Sequence, residues 1–179
     1  MLKEEKLLAL LKELLRNSKR SDRELAKAVG LSQPTVTRLR KQFGKYVKSY
    51  TIVPYFSRVG YEILAITFAK ATTYNKKKVD EKLTLVKEWL RKHPNVVFAS
   101  DGEGLGKDAV MISLHRDYSK YANFMREFIV EFADFVSDVQ SFIVSLKTGI
   151  ILKPFNLTYL ADDIQTLQST SEKTFILKS

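Results

Sequence analysis

The chain has no cysteine among its 179 residues, and that absence removes disulfides, thiolate zinc sites, iron–sulfur clusters and cysteine nucleophiles together. Histidine is scarce as well. His93 and His115 are far apart in sequence and leave little for a metal centre, so neither a metal nor another cofactor is expected. Long apolar runs are also missing: Ile63 to Ala69 carries no charge but falls far short of the roughly 18 residues that cross a bilayer. Met1-Leu2-Lys3-Glu4-Glu5 holds acids where a signal peptide needs basic residues, so a cytoplasmic location and no membrane partner are expected. What is present suffices for packed structure. Apolar residues make up 45% and charged residues 28%, outside the range of disordered chains, and the length suits one larger domain or two small ones.

Charge is unevenly placed. Of 30 Lys/Arg and 20 Asp/Glu, residues 1–60 hold 14 and 5, so nearly all of the net +10 lies in the first third. Acidic residues are wholly missing between Leu31 and Glu62. A basic excess on a short segment is the electrostatic footprint of a polyanion binder, and it equally suits a solvated surface that aids solubility. The pattern inside the segment has to decide.

From Leu2 to Leu15, Leu7, Leu8, Leu11, Leu14 and Leu15 recur at helical spacing among charged residues. A second helix is predicted from Asp22, opened by a capping box of Ser21 and Glu24 and presenting Leu25, Ala26 and Val29 inward. Gly30 can end it in a left-handed conformation, and Ser32 can cap a third helix that begins Gln33-Pro34. Two short helices around a glycine-containing turn form a helix-turn-helix, whose second helix enters the major groove. On a wheel of about 100° per residue, Val36, Leu39 and Phe43 share the inner side. The outer arc then carries Pro34, Thr37, Arg38 and Lys41, flanked by Gln33 and Arg40. Gln33, Thr37, Arg38 and Lys41 are the candidates for reading bases, because Arg and Gln pair bidentately with guanine and adenine edges. Ser21, Ser32, Thr35, Arg40, Lys45 and Lys48 are the candidates for phosphates. Past Gly44, Tyr46 to Val53 is rich in β-branched and aromatic residues and is expected to form a strand or short hairpin, a wing.

Ser21-Asp22-Arg23-Glu24-Leu25-Ala26-Lys27-Ala28-Val29-Gly30-Leu31-Ser32-Gln33-Pro34-Thr35-Val36-Thr37-Arg38-Leu39 resembles the helix-turn-helix of the Lrp/AsnC (feast/famine) transcription regulators. Lys48-Ser49-Tyr50-Thr51-Ile52 followed by Val59-Gly60-Tyr61 resembles that family's wing and hinge. The resemblance implies an N-terminal DNA-binding domain joined to a ferredoxin-like module that dimerises and often binds amino acids.

The rest of the sequence agrees in pattern. Tyr61 to Ala71 reads as a strand, Lys76 to Lys92 as a helix with Val79, Leu83, Val86 and Leu90 in a stripe, ended at His93-Pro94. Val96 to Ser100 and Asp108 to His115 read as strands around a glycine-rich turn, Tyr118 to Phe135 as a helix with Tyr121, Phe124, Met125, Phe128, Ile129 and Phe132 inward, and Val139 to Thr148 as a last strand. The order is βαββαβ. The predicted fold class is therefore α+β: a winged helix-turn-helix at 1–60, a ferredoxin-like domain at 61–149 and a C-terminal extension at 150–179. Two helices cover only one face of such a sheet, and the free face is predicted to carry Ala65, Thr67, Met111, Ser113, Ile143 and Ser145, too apolar for water. Sheet-to-sheet homodimerisation is the simplest cover.

An effector, if bound, is expected at Gly102, Gly104, Gly106 and Asp108, where backbone N–H groups of a glycine-rich turn could hold a carboxylate. That turn, Ser100 to Lys107, reads as longer than the family's. The plainer reading is a hairpin loop in which glycine supplies positive φ. In the extension, Ile150 to Phe155 and Thr174 to Leu177 read as strands, and Asp162-Asp163 as a solvated turn or cap. The expected function is a sequence-specific regulator that binds double-stranded DNA as a dimer or higher oligomer. An RNA binder that stacks bases on the sheet is one alternative, and an enzyme is another, although no residue cluster specifies a reaction.

Overall fold

The computed structural model describes residues 3–72 and 76–165, and for 76–82 the backbone alone. The described chain forms two compact units. One holds residues 3–53 and 154–165, the other Pro54–Lys153.

The first unit is helical: α1 Lys3–Arg16, α2 Asp22–Val29 and α3 Gln33–Arg40, followed by a 3-10 turn at Phe43–Lys45. Leu7, Leu10, Leu11 and Leu14 of α1 meet Leu25 and Ala26 of α2 and Val36, Leu39 and Phe43 in one buried cluster. Leu10, absent from the expected stripe, is completely buried, whereas Leu8 and Leu15 are only half-buried. Tyr46 to Val53 does not form the expected wing. No strand or hairpin forms there, and Tyr50, Ile52, Val53 and, just beyond, Tyr55 are exposed. The β-branched and aromatic composition that suggested a strand finds no partner strand within the described chain, and a lone strand leaves its backbone groups unpaired.

The second unit is the βαββαβ fold: β1 Ile63–Ala71, α4 Lys76–Lys92, β2 Val96–Gly104, β3 Lys107–His115, α5 Tyr118–Glu131 and β4 Val136–Ser145. The antiparallel sheet has the order β2-β3-β1-β4. Its register inverts the predicted faces. Ala65 pairs with Ser113 and Ile143, and Thr67 with Met111 and Ser141, and Ala65, Thr67, Met111 and Ser113 are all buried against the helices. The reason is size. Small residues on that face, Ala65 and Ala69 among them, leave room for Trp89 of α4 and for Tyr121, Phe124, Met125, Phe128 and the following Phe132, which fill one cluster. The Trp89 ring lies 5.1 Å from that of Phe124 and 5.4 Å from that of Phe128. Trp89, and not Leu83, anchors α4; Leu83 and Ile129 are exposed. Val79 lies outside the residues whose side chains are described.

The free face consequently carries the bulky residues. One rung runs Phe98–Ile112–Ile66–Phe142 across all four strands, beside Phe68, Val110, Leu64 and Val144. Phe142 is 67% exposed and Phe98 50%.

The β2–β3 connection is shorter than expected. The strands continue to Gly104 and resume at Lys107, so the turn is Leu105-Gly106 alone, with φ of 54° and 68°. Positive φ at both central residues is the signature of a two-residue hairpin turn whose twist matches its strands.

After β4 the chain leaves the sheet, and Ile150 to Phe155 is irregular instead of a strand. A 3-10 turn at Leu157–Tyr159 and the short α6, Leu160–Asp163, then pack on α1. Ala161 is fully buried there, and Asp162 accepts from Arg16 at 2.7 Å. Asp162 is mostly exposed, as the expected solvated turn is, and also pairs with Arg16. Thr174 to Leu177 lies outside the described residues.

His115 is buried at the end of β3, with Nε2 at 2.9 Å from Ser113 Oγ and its ring 4.9 Å from that of Phe124. Desolvation pushes its pKa below the ordinary histidine value, against a smaller opposing effect of Asp117. The unfolded chain therefore binds the proton more readily. The contribution to stability is complete above about pH 6.5 and is lost as the pH falls below that value. Urea denaturation between pH 7.5 and 5 should show a loss of stability on acidification that His115→Gln largely abolishes. Equal slopes for both proteins would mean that His115 takes up its proton equally in the folded and the unfolded chain.

Candidate nucleic-acid interface

The helix-turn-helix is built by local chemistry. Ser21 Oγ accepts from the Glu24 backbone N–H at 3.3 Å, and a Glu24 carboxylate oxygen accepts from the Ser21 backbone N–H at 2.7 Å. These reciprocal bonds start α2 and hold the Glu24 carboxyl below its usual range. At the other end Gly30 adopts φ 65°, ψ 36°, and both its N–H and that of Leu31 donate to the Ala26 carbonyl. The space around Gly30 is open, so glycine is favoured there by φ and not by crowding. Ser32 marks the start of α3 as expected but does not cap it through its side chain; its hydroxyl is 2.9 Å from that of Thr35.

Burial of Val36 and Leu39 fixes the rotation of α3. Gln33, Pro34, Thr37, Arg38 and Lys41 then line one shallow concavity on the surface, the outer arc read from the helical wheel. Lys41 also lines the neighbouring concavity with Lys3, Glu4, Gln42, Lys45 and Tyr46. Basic residues therefore continue past the end of α3, beside one carboxylate. Arg38, Lys41, Lys45 and Lys48 are exposed and, among the described residues, have no ion-pair or hydrogen-bond partner.

Two predicted contacts are modified by a residue the sequence reading passed over. Asp22, at the first position of α2, accepts from Thr37 Oγ1 at 2.6 Å and from Arg40 Nη1 at 2.6 Å. Arg40 is thus held on the protein as well as facing outward, and its guanidinium is stabilised in its charged form by Asp22. Ser21 is similarly committed to its cap. The first-turn acid was legible as a helix-start signal, but its span to α3 depends on how the helices cross.

The predicted effector residues do not form one turn. Gly102 and Gly104 lie in β2, Gly106 is at the hairpin tip, and Asp108 accepts the Ala71 backbone N–H at 2.9 Å. Among the described residues no group of three or more His, Asp and Glu could hold a metal, and no helix is long and apolar enough to cross a membrane.

Residues 8–40 match the AsnC-type helix-turn-helix domain. In overall fold the chain is similar to the AsnC family transcriptional regulator of Agrobacterium tumefaciens, with a TM-score of 0.69 at 18% identity, covering 89% of this chain and 99% of that one. It is similar also to AsnC of E. coli, with a TM-score of 0.66 at 17% identity over 87% and 99% of the two chains. A transcriptional regulator of Neisseria meningitidis in complex with L-Met gives 0.67 at 19% identity over 88% and 98%. No curated protein matches in sequence. The AsnC-type domain and the four-stranded antiparallel sheet with its helices together give the α+β fold of the Lrp/AsnC regulators.

The cap is an exposed support of the helical unit. Ser21→Ala is expected to lower the unfolding free energy of this unit by about 0.5–2 kcal/mol, and Ser21→Gly by only a few tenths. Urea denaturation followed by circular dichroism checks both. Unchanged stability in Ser21→Ala would mean that the hydroxyl bond contributes nothing.

Proposed function

We propose that the protein is a transcription regulator that binds double-stranded DNA sequence-specifically through α3 and acts as a homodimer or higher oligomer. The observation that carries this reading is the outer arc of α3, which bears no acidic residue of its own. Gln33, Thr37, Arg38 and Lys41 line one surface on a helix whose opposite side is locked in a core, and these residue types can address base edges and phosphates. The relatives described as transcriptional regulators support it.

Dimerisation is supported by the free sheet face. The rung Phe98–Ile112–Ile66–Phe142 is too apolar to leave wet, and a second copy of the same face is the simplest complementary surface. Phenylalanines on an open sheet also suit RNA stacking, but the basic excess lies in the other unit. A small-molecule effector belongs to the same reading, prompted by the L-Met complex of the Neisseria relative. Its place in this chain is proposed along Gly102, Gly104, Gly106 and Asp108, at the end of the edge strand β2 and the hairpin that follows it.

Selection of bound sites from random duplex DNA should yield a palindromic motif. Arg38→Ala should then cost roughly 1–3 kcal/mol and relax the preference at one base position, whereas Lys48→Ala should weaken all duplexes equally and lower the slope of log affinity against log salt by about one. Uniform weakening by Arg38→Ala, with the preferred site retained, would exclude α3 as the reader.

Sedimentation tests the dimer. Phe142→Glu, which changes a side chain outside the core, is expected to give a folded monomer at tens of micromolar protein. A persisting dimer would place the interface elsewhere.

A further inference from the structure

The reading face of α3 is partly occupied by the protein itself. Asp22 of α2 reaches across to α3 and holds Thr37 and Arg40 at the same time, each at 2.6 Å. The site is half-open to solvent, with 21% of the Asp22 side chain and 31% of the Arg40 side chain accessible. An ionised carboxylate has no proton to give, so both bonds require Thr37 and Arg40 to donate. Thr37 has one hydroxyl proton. That proton is directed to Asp22, with a longer contact to the Gln33 carbonyl at 3.1 Å, and is not free for a base acceptor. Thr37 is left with acceptor capacity and its methyl group. Arg40 keeps other N–H donors, but its charge is offset at close range, unlike those of Arg38 and Lys41.

We infer that Asp22 is a specificity-determining positioning residue: it withholds the Thr37 hydroxyl proton and one edge of Arg40 from DNA, so that Arg38 dominates guanine recognition on this face. The inference rests on the DNA-binding reading above. Asp22 thereby gives up nonspecific affinity for discrimination. A carboxylate beside phosphates is repulsive, and keeping it there makes sense where wrong contacts must be suppressed.

Four proteins test this: the unmodified chain, Asp22→Ala, Thr37→Val and the double variant, each compared on the selected motif, its single-base variants and random duplex DNA. Asp22→Ala should tighten binding to random DNA and raise the salt slope by about one, as Arg40 becomes free for a phosphate. It should also change the preference at one base position by on the order of tenfold, as the released hydroxyl begins to read a base. Thr37→Val should abolish the effect of Asp22→Ala on preference, so that the double variant and Thr37→Val alone share one base preference.

Asp22→Asn guards against a variant that fails to fold. Its amide oxygen still accepts the Thr37 proton, so it should keep the base preference while raising the salt slope. If Asp22→Ala shifts the preference as far in the Thr37→Val background as in the unmodified chain, the Thr37 hydroxyl is not what Asp22 withholds and the inference is overturned. Uniform weakening by folded Asp22→Ala, with slope and preference unchanged, also overturns it, because Asp22 would then only join two helices. Both results leave DNA binding itself intact. An unmodified protein that selects no motif overturns the DNA-binding reading and this inference together.

Discussion

Everything the N-terminal unit can offer a ligand depends on the rotation of one eight-residue helix. Val36 and Leu39 of α3 are buried beneath Leu10 and Leu25, and Phe43, just past the helix end, is buried with them. Turning α3 by one residue, about 100°, would expose Val36 and bury Arg38 or Thr37. Burying a charge without a partner costs several kcal/mol, and exposing a Val forfeits roughly 1.5–3 kcal/mol. The register of the outer arc is therefore set by the core, not by any interaction on the arc itself. Asp22 adds a second restraint from the polar side, binding residues 37 and 40 at i, i+3 spacing, a pair that faces the same neighbour.

The sheet obeys an analogous constraint in which side-chain volume replaces charge. Both faces of β1 are apolar, so alternation cannot say which face the helices cover. Volume can. Ala65, Ala69 and Ser113 lie under Trp89, Tyr121, Phe124 and Phe128, because helices carrying large rings need a floor of small residues to reach native packing density. The bulky Leu64, Ile66 and Phe68 are left for the other face, which strengthens the case for a covering partner while changing every residue that makes it.

The sequence is most legible where structure follows from contiguous residues. Ser21 and Glu24 cap α2, Gly30 turns it off, and Val36, Leu39 and Phe43 go inward. These are short-range consequences of hydrogen bonding and helical period. The βαββαβ order was legible for the same reason. The misread features that shape the two surfaces depend on contacts distant in sequence: the face of β1, the role of Trp89, the lack of a partner for Tyr46 to Val53, and the clasp of Asp22. Composition marks a segment as strand-like, but a strand also needs a neighbour. In the candidate interface, Gln33, Thr37, Arg38 and Lys41 do share one surface, whereas the four effector candidates are divided between a strand, a turn tip and a cap on Ala71.

The C-terminal segment shows how far such distant contacts reach. Ile150 to Phe155 reads as strand-like, yet the chain is irregular there and returns to the first unit, where α6 packs on α1 with Ala161 buried and Asp162 on Arg16. Arg16 is also paired with Glu13, which in turn holds Arg20. The last turn of α1 is thus bound both from within and from a segment 146 residues away in sequence. An exposed ion pair alone contributes little, typically about 0–1 kcal/mol. What gives this return specificity is the fully buried methyl of Ala161, which a larger side chain could not replace without lifting α6 from the helix that supports α2 and α3. The helix-turn-helix unit is consequently not a contiguous piece of sequence. Its outer surface is written in residues 21–48, but the scaffold beneath that surface includes residues from the far end of the described chain.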